Sequence, residues 1–268
     1  MPELPDVEVF RRYLLATSRN RTVSRVQVFD ETLLRGITKQ RLARALTRHE
    51  IVGARRHGKH LFVAMAGAAW LVLHFGMTGH LEHGSAHEPV PEHTRMALLF
   101  IDGTRLCQVD MRRLGFATLT EDPDEYVAAV DLGPDALAVT ERELRSRLES
   151  RRGTVKSALM DQSLVAGIGN IYADEILFQA QIDPQAPAAE LGGASYRRLH
   201  RQMGRVLRMA ADRDADPRRM PRTWLLPHRE DGAPCPRRNG TIRKYRSAGR
   251  AGYYCPACQT AGQAAKAG

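Results

Sequence analysis

The sequence has no long hydrophobic segment. No run of eighteen apolar residues occurs among its 268 residues, so no transmembrane helix is predicted. The first residues also lack the apolar stretch of a secretory signal, because acids appear from Glu3 onwards. These absences exclude an integral membrane protein, and we expect a cytoplasmic one.

Cysteine is scarce and unevenly placed. Of four cysteines, Cys107 stands alone in the strand-like segment RLCQVD, where a small buried residue is expected. Cys235, Cys255 and Cys258 crowd the C-terminal end, and the last two form a CxxC pair. Such a cluster indicates a metal site in a reducing compartment rather than a disulfide framework.

Acidic residues are outnumbered by basic ones. The chain has 30 Asp and Glu against 40 Lys and Arg, which gives a formal charge of +10 and a pI near 9.9. Such an excess favours a polyanionic partner, because neutralising phosphates releases counterions. The alternative is an arginine-rich composition without a functional meaning.

The apolar residues that are present change their spacing along the chain. Val7 to Leu15 carries them at helical spacing, whereas HLFVAM, WLVLHF and MALLFID read as strands. Gly58, Gly67 and Gly103 are expected in the turns of this region. The segment EDPDEYVAAVDLGPDALA is expected to be a linker, and residues 140–209 are expected to be helical.

This order predicts an α+β protein with three parts. The first is a β-rich domain over residues 1–122 that begins with a helix. The second is a helical domain over residues 123–222, and the third is a short cysteine-bearing appendage over residues 223–268. No internal repeat is evident.

One stretch combines two glycines with a helix start. In DQSLVAGIGNIYADEILFQAQIDP, Gly167 and Gly169 bracket a tight turn, and Asn170 opens a helix. A helix start after such a turn presents backbone N–H groups to a phosphate. The alternative is a plain corner between two helices, with glycines required for positive φ.

Several motifs then occur in one order along the chain: PELPDVE, RRHGKHL, HFGMTG, DMRRLG, the glycine stretch above and GRAGYYCPACQ. Together they resemble the formamidopyrimidine-DNA glycosylase/endonuclease VIII family of base-excision repair enzymes. The resemblance implies a β-sandwich domain with an N-terminal helix, a helix–two-turns–helix domain and a finger-like β-hairpin. It further implies a monomeric DNA glycosylase with AP-lyase (β/δ-elimination) activity, acting on damaged double-stranded DNA in the nucleoid.

The resemblance explains the proline behind Met1. Removal of Met1 leaves Pro2 with a secondary amine, which is the family's Schiff-base nucleophile. Glu3 matches the general acid/base. Asp6 stands near the family's lesion pocket, where a relative often carries glutamate.

Further residues match family contacts to DNA. Lys59 and Arg250 correspond to cations that hold phosphates beside the lesion and assist the reaction. The remaining matches to DNA-contact positions are His93, Arg151, Lys156 and Asn170.

The chain departs from the family's purine-directed branch at the extruded base. Met77 and Arg112 match two of the three residues that fill the gap in the duplex, but Leu114 replaces the third, a phenylalanine. The stretch before Cys235 also lacks the glycine-rich lid of that branch. We therefore expect 8-oxoguanine not to be the preferred lesion.

The finger-like hairpin also departs from the family's pattern. The family's two CxxC pairs suit tetrahedral zinc, but here Arg238 stands where the partner of Cys235 is expected. Cys235, Cys255 and Cys258 are thus candidate zinc ligands, with His228 or water as the fourth. A metal-free hairpin is the alternative.

A damaged-DNA-binding protein without excision is the second functional hypothesis, whereas a helix–turn–helix regulator leaves Pro2 unexplained.

Overall fold

A computed structural model describes residues 2–67, 69–238, 240–247 and 249–260. It has mixed α+β architecture and divides into two compact units, Met1–Asp131 and Leu132–Gly268. Among the helices of these described ranges, none has the length and apolar character to cross a bilayer.

The first unit is a β-sandwich with three short or medium helices. Its helices are α1 (Leu4–Ser18), α2 (Lys39–Leu46) and α3 (Pro123–Ala129). Its strands are β1 (Val23–Val28), β2 (Ile51–His57), β3 (His60–Met65), β4 (Trp70–His74), β5 (His80–Ser85), β6 (Thr94–Phe100), β7 (Thr104–Val109) and β8 (Phe116–Thr120). They form two four-stranded antiparallel sheets, in the orders β1-β6-β7-β5 and β2-β3-β4-β8.

The predicted strands are confirmed in this unit. HLFVAM is β3, and its turn glycine Gly58 has a φ of 55°. Gly67 and Gly103 also have positive φ, at 62° and 81°. Apolar residues of both sheets, such as Leu61 and Leu98, form one buried core together with Val7 of α1. Burial of these alternating faces drives the two sheets together.

The expected linker is partly helical. Asp122 accepts hydrogen bonds from the backbone N–H groups of Asp124 and Glu125, and Pro123 occupies the first turn of α3. Asp before Pro at a helix start is a favourable cap. The boundary between the two units, at Asp131 and Leu132, falls within this segment as expected of a linker, and its first part is helical because acids and proline also suit a helix N-terminus.

In its described residues, the second unit has four α-helices and a β-hairpin. The helices are α4 (Glu141–Glu149), α5 (Val155–Met160), α6 (Asn170–Ala180) and α7 (Gly193–Asp212), and the hairpin is formed by β9 (Arg243–Ser247) and β10 (Arg250–Tyr254). The predicted helical region is thus interrupted, at Gly153 and Gly167 among other places, where φ is positive. Helix α6 is almost wholly buried and packs against α7 and β10.

Candidate active site

The first candidate functional residues lie at the start of α1. Glu3 is the N-cap and is fully buried. It forms a capping box with Asp6, in which the Glu3 N–H donates to Asp6 Oδ2 at 2.8 Å. Pro2 directly precedes this fixed residue and is half-buried.

Asp6 therefore holds the backbone of Glu3. Burial raises the pKa of Asp6 to about 6, although its hydrogen bond from the Glu3 N–H opposes that shift. Its carboxyl group changes charge close to neutral pH, one helical turn from Pro2.

Lys59 lies at the tight turn between β2 and β3, next to a group of aromatic rings. The rings of His60 and His74 lie 5.1 Å apart, and His74 stacks on Phe116 at 5.1 Å with an interplanar angle of 11°. Burial lowers the pKa of His60 to about 3 and that of His74 to about 4. Both imidazoles are uncharged at neutral pH, so Lys59 supplies its positive charge beside neutral rings.

The turns after β4 and β7 expose large apolar side chains at the positions predicted to fill the gap in the duplex. Met77 lies in the turn after β4, where it is 38% exposed, and Leu114 lies in the turn after β7, where it is 49% exposed. Arg112 occupies the same turn as Leu114 and is exposed. Sequence reasoning missed Met111, which is 58% exposed beside Arg112; an apolar residue within a polar turn was the available signal.

His93 lies in the loop before β6, with a positive φ of 64°. Its Nε2 lies 3.4 Å from a carboxylate oxygen of the neighbouring Glu92, and its carbonyl accepts the N–H of Asp110. Its ring is partly exposed, and its contact with DNA stays a prediction.

In the second unit, the glycine turn brings Asn170 to the hairpin. Gly167 has a φ of 116°, and its N–H donates to the Gln162 side chain at 3.0 Å. Asn170 Nδ2 donates to the carbonyl of Ala251 at 2.9 Å. Ala251 adjoins Arg250, which is exposed at the start of β10. The structure thus joins Asn170 to the strand that carries Arg250.

Lys156 takes a different position from the one expected of a DNA contact. It is fully buried, and its Nζ lies 2.6 Å from Asp174 Oδ1. The other oxygen of Asp174 accepts from Arg229 at 2.8 Å and from the N–H of Tyr253 at 3.1 Å. In this arrangement the ammonium supports the hairpin from within.

Arg151 forms an ion pair with Asp161 and remains partly exposed. Its contact with DNA, like that of Lys156, stays a prediction.

The three C-terminal cysteines meet as predicted. All are buried, and their sulfur atoms lie within 4.8 Å of one another. Lone Cys107 is buried in β7, which confirms its expected structural place. His228 is wrong as a fourth ligand, because it lies outside this group and its Nε2 lies 3.0 Å from the carbonyl oxygen of Arg222.

The donor set fits a zinc ion incompletely. Three thiolates supply three corners of a tetrahedron, but across the described parts of the chain no further Cys, His, Asp or Glu joins them. Burial and the two neighbouring thiols raise the pKa of Cys258 to about 12. A cation between the sulfurs would reverse that shift.

The fold and this arrangement define a class, the DNA glycosylases that join a β-sandwich to a helix–two-turns–helix unit. Residues 1–117 match the formamidopyrimidine-DNA glycosylase N-terminal domain, and residues 132–221 match the H2TH domain of the same enzymes. The chain belongs to the formamidopyrimidine-DNA glycosylase family, whose members are bifunctional DNA glycosylases and AP lyases.

Individual relatives agree with this assignment. The formamidopyrimidine-DNA glycosylase of Moorella thermoacetica is 39% identical over 77% of each chain. That of Halorhodospira halophila is 36% identical over 97% of this chain and 100% of its own. The Lactococcus lactis Fpg, solved in complex with DNA containing an abasic site, has a TM-score of 0.87 and 26% identity over 96% of this chain and 99% of its own.

Proposed function

We propose that this protein excises damaged bases and cleaves the resulting abasic site, with Pro2 as the nucleophile. The observation that carries this proposal is the buried Glu3 carboxyl group beside Pro2, fixed by the capping box with Asp6. Two adjacent groups with complementary chemistry, a secondary amine and a carboxyl, are held at one rigid helix start.

The chemistry follows from these two groups. An α-amino group has a pKa of about 8, so an appreciable fraction of Pro2 is neutral once Met1 is removed. The neutral nitrogen bonds to C1′ of the damaged nucleotide as the bond from C1′ to the base breaks, and the proton that the nitrogen then loses neutralises the departing base. Glu3 donates a proton to the sugar oxygen as the ring opens, which leaves a positively charged iminium between Pro2 and C1′.

Strand cleavage uses the same intermediate. Loss of a C2′ proton from the iminium expels the 3′ phosphate, and a further proton loss expels the 5′ phosphate. Water then hydrolyses the iminium and frees Pro2. The pyrrolidine ring ties the nitrogen back to Cα and so restricts the nitrogen's orientation through these steps.

The proposed DNA contacts occur in both units. Lys59 and Arg250 would each hold a phosphate, and Asn170 has a second N–H on Nδ2 besides the one donated to Ala251. Met77, Arg112 and Leu114 would fill the gap left by the extruded nucleotide. The exposure of Met77 and Leu114 supports this role, because solvent-facing apolar residues gain most from burial in a base stack.

We propose that 8-oxoguanine is not the preferred lesion. Residues 213–234 contain a single glycine, Gly232. Trp224 and Leu225 within this segment are buried, and the N–H of Leu226 donates to Glu175 at 2.8 Å. A segment anchored in this way is poorly suited to close over an extruded purine, and without lid contacts a pocket discriminates weakly between oxidised bases.

The three cysteines would hold zinc, with water as the fourth ligand. Zinc there would tie the two cysteine-bearing turns together and so stabilise the hairpin that carries Arg250. We place the protein's action in the cytoplasm, on nucleoid DNA, as a monomer.

The second candidate is a damaged-DNA-binding protein without excision. Leu114 in place of an aromatic residue and Arg238 in place of a cysteine favour it. Such a protein would retain affinity for abasic DNA without forming a covalent intermediate.

Borohydride trapping on an abasic duplex separates the two candidates. The wild type should form a covalent complex, and Pro2→Gly should form far less. Pro89→Gly, at an exposed loop proline, is the matched control and should trap like the wild type. Full trapping by a protein whose N-terminus is blocked by an extension would contradict the role of Pro2, and tight binding without trapping would favour the second candidate.

A further inference from the structure

The two turns that carry Met77 and Leu114 are both corners between the sheets. The first joins β4 of one sheet to β5 of the other, and the second joins β7 back to β8. Because β5 pairs with β7 and β4 pairs with β8, the two corners leave the sandwich side by side.

The carboxylate of Asp110 connects these corners. Its Oδ1 accepts from the Thr78 hydroxyl at 2.7 Å and from the Arg112 N–H at 3.2 Å. Its Oδ2 accepts from the N–H groups of Leu114 and Gly115 at 2.9 and 2.7 Å. Asp110 is fully buried, so these four donors occupy a carboxylate that water does not reach.

The backbones of the two turns also touch. A Cβ on Gly76, whose φ is +57°, would lie 2.4 Å from the carbonyl carbon of Leu114. A Cβ on Gly115 would lie 2.6 Å from the carbonyl oxygen of His74. The Thr78 hydroxyl further accepts the Arg112 N–H at 3.1 Å. Both corners therefore need glycine where they meet.

We infer that Asp110 is a positioning residue that makes the Met77 and Arg112–Leu114 turns one rigid gap-filling element. This inference rests on the proposed function of those three side chains. Asp110 itself touches no nucleotide; it holds the backbone from which they project. Ordering both turns before DNA binds lowers the conformational entropy lost when the side chains enter the stack.

Asp110→Asn tests the inference with almost no change in volume. An amide cannot accept on both sides: its NH2 group lies either against the N–H groups of Leu114 and Gly115 or against the Arg112 N–H and the Thr78 hydroxyl, so at least one backbone N–H loses its carboxylate acceptor. Thr78→Val removes the hydroxyl alone. Leu98→Ala, in β6 of the same sheet, is the control for general destabilisation, since Leu98 is buried in the core.

The readout is gap filling, measured without catalysis. A duplex carries a tetrahydrofuran abasic analogue opposite 2-aminopurine, and binding is measured separately by anisotropy. At saturating protein, the wild type should change the fluorescence of 2-aminopurine. The fluorescence change should be at least fivefold smaller with Asp110→Asn than with the wild type, and about half as large with Thr78→Val. Leu98→Ala should give the same change as the wild type.

Hydrogen exchange of the free protein provides a second measurement. Amides of residues 76–79 and 111–115 should exchange faster together in Asp110→Asn, although the substitution lies in only one of the two turns. Unchanged fluorescence and unchanged exchange in Asp110→Asn would overturn the inference alone. A wild type that fails to bind the duplex would overturn the proposed function, and the inference with it.

Discussion

The two units hold their candidate functional residues with carboxylates, but in different ways. In the first unit, Asp6 and Asp110 accept hydrogen bonds from neutral groups, most of them backbone N–H. In the second unit, Asp174 lies between two cations, Lys156 and Arg229. A carboxylate bound by neutral donors holds only the backbone of its own turns. A carboxylate bound by cations belongs to a buried ion network, in which loss of one charge leaves the others uncompensated.

This difference has an energetic consequence. Loss of the Asp6 carboxylate removes one hydrogen bond, from the Glu3 N–H, at a cost of about 1 kcal/mol. Removing the carboxylate of Asp174 from a buried ion network leaves uncompensated cations, which costs about 3–5 kcal/mol. The first unit should therefore tolerate loss of Asp6 better than the second tolerates loss of Asp174.

The largest expected effect is on catalysis in the first unit. Glu3→Gln keeps the shape of the side chain but removes its proton chemistry, and we expect base excision to fall by about 10²–10⁴-fold. Cleavage of a preformed abasic site should fall less, because the sugar of an abasic site also exists as the ring-opened aldehyde and then needs no proton from Glu3 to open. Single-turnover rates on matched lesion and abasic duplexes measure both, and equal losses would contradict the assigned role.

The next largest effect is on stability, and it compares loss of the carboxylate in the ion network with loss of the carboxylate in the capping box. Asp174→Ala should lower the free energy of unfolding of its unit by about 3–5 kcal/mol, whereas Asp6→Ala should cost about 1 kcal/mol, as for loss of a helix cap. Urea unfolding followed by hydrogen exchange of peptides from each unit resolves the two. Equal costs would show that the charged network is no more demanding than the cap.

Lowering the pH should change the stability of the two units in opposite directions, through the buried groups His60 and Glu175. His60 has a pKa of about 3 in the folded chain against 6.5 for a free imidazole. The unfolded chain thus gains a proton first, and stability falls as the pH drops below 6.5. Glu175 has a pKa of about 7 against 4.5; the folded chain binds the proton first, and stability rises as the pH drops from 7 towards 4.5.

His60→Phe and Glu175→Gln remove these two groups. Between pH 7 and 5.5, the loss of stability of His60→Phe should be smaller than that of the wild type by about 1 kcal/mol. Glu175→Gln should lose more stability than the wild type over the same interval. Urea unfolding at both pH values measures the difference, and parallel behaviour of all three proteins would show that neither group titrates as described.

The smallest effect is on the salt dependence of DNA binding. Lys59→Ala and Arg250→Ala should each reduce the slope of log K against log salt by about one. Because Lys59 belongs to the first unit and Arg250 to the second, equal reductions would place both units on the same duplex. An unchanged slope for either variant would remove that residue from the interface.

The pattern of neighbouring residues in the sequence by itself determined much of the secondary structure and the family assignment. Alternating apolar residues in HLFVAM predicted β3, and the turns at Gly58, Gly67 and Gly103 have the positive φ that glycine permits. The approach of Cys235 to the Cys255–Cys258 pair was also expected from the sequence. The family itself was identified from motifs, because short runs of residues such as PELPDVE and GRAGYYCPACQ resemble those of its members.

Only the tertiary structure decided the rest. Lys156 matched a DNA-contact position of the family, and only the structure shows that it is buried against Asp174, together with Arg229 from 55 residues beyond Asp174. His228 seemed close enough in sequence to join the cysteines, and it lies elsewhere. Nothing in the motif DMRRLG marks Asp110 as a positioning residue. That role is inferred only from the two corners between the sheets that pack around its carboxylate. Periodicity and turn chemistry act over a few residues, whereas burial and buried charge depend on which distant segments pack together.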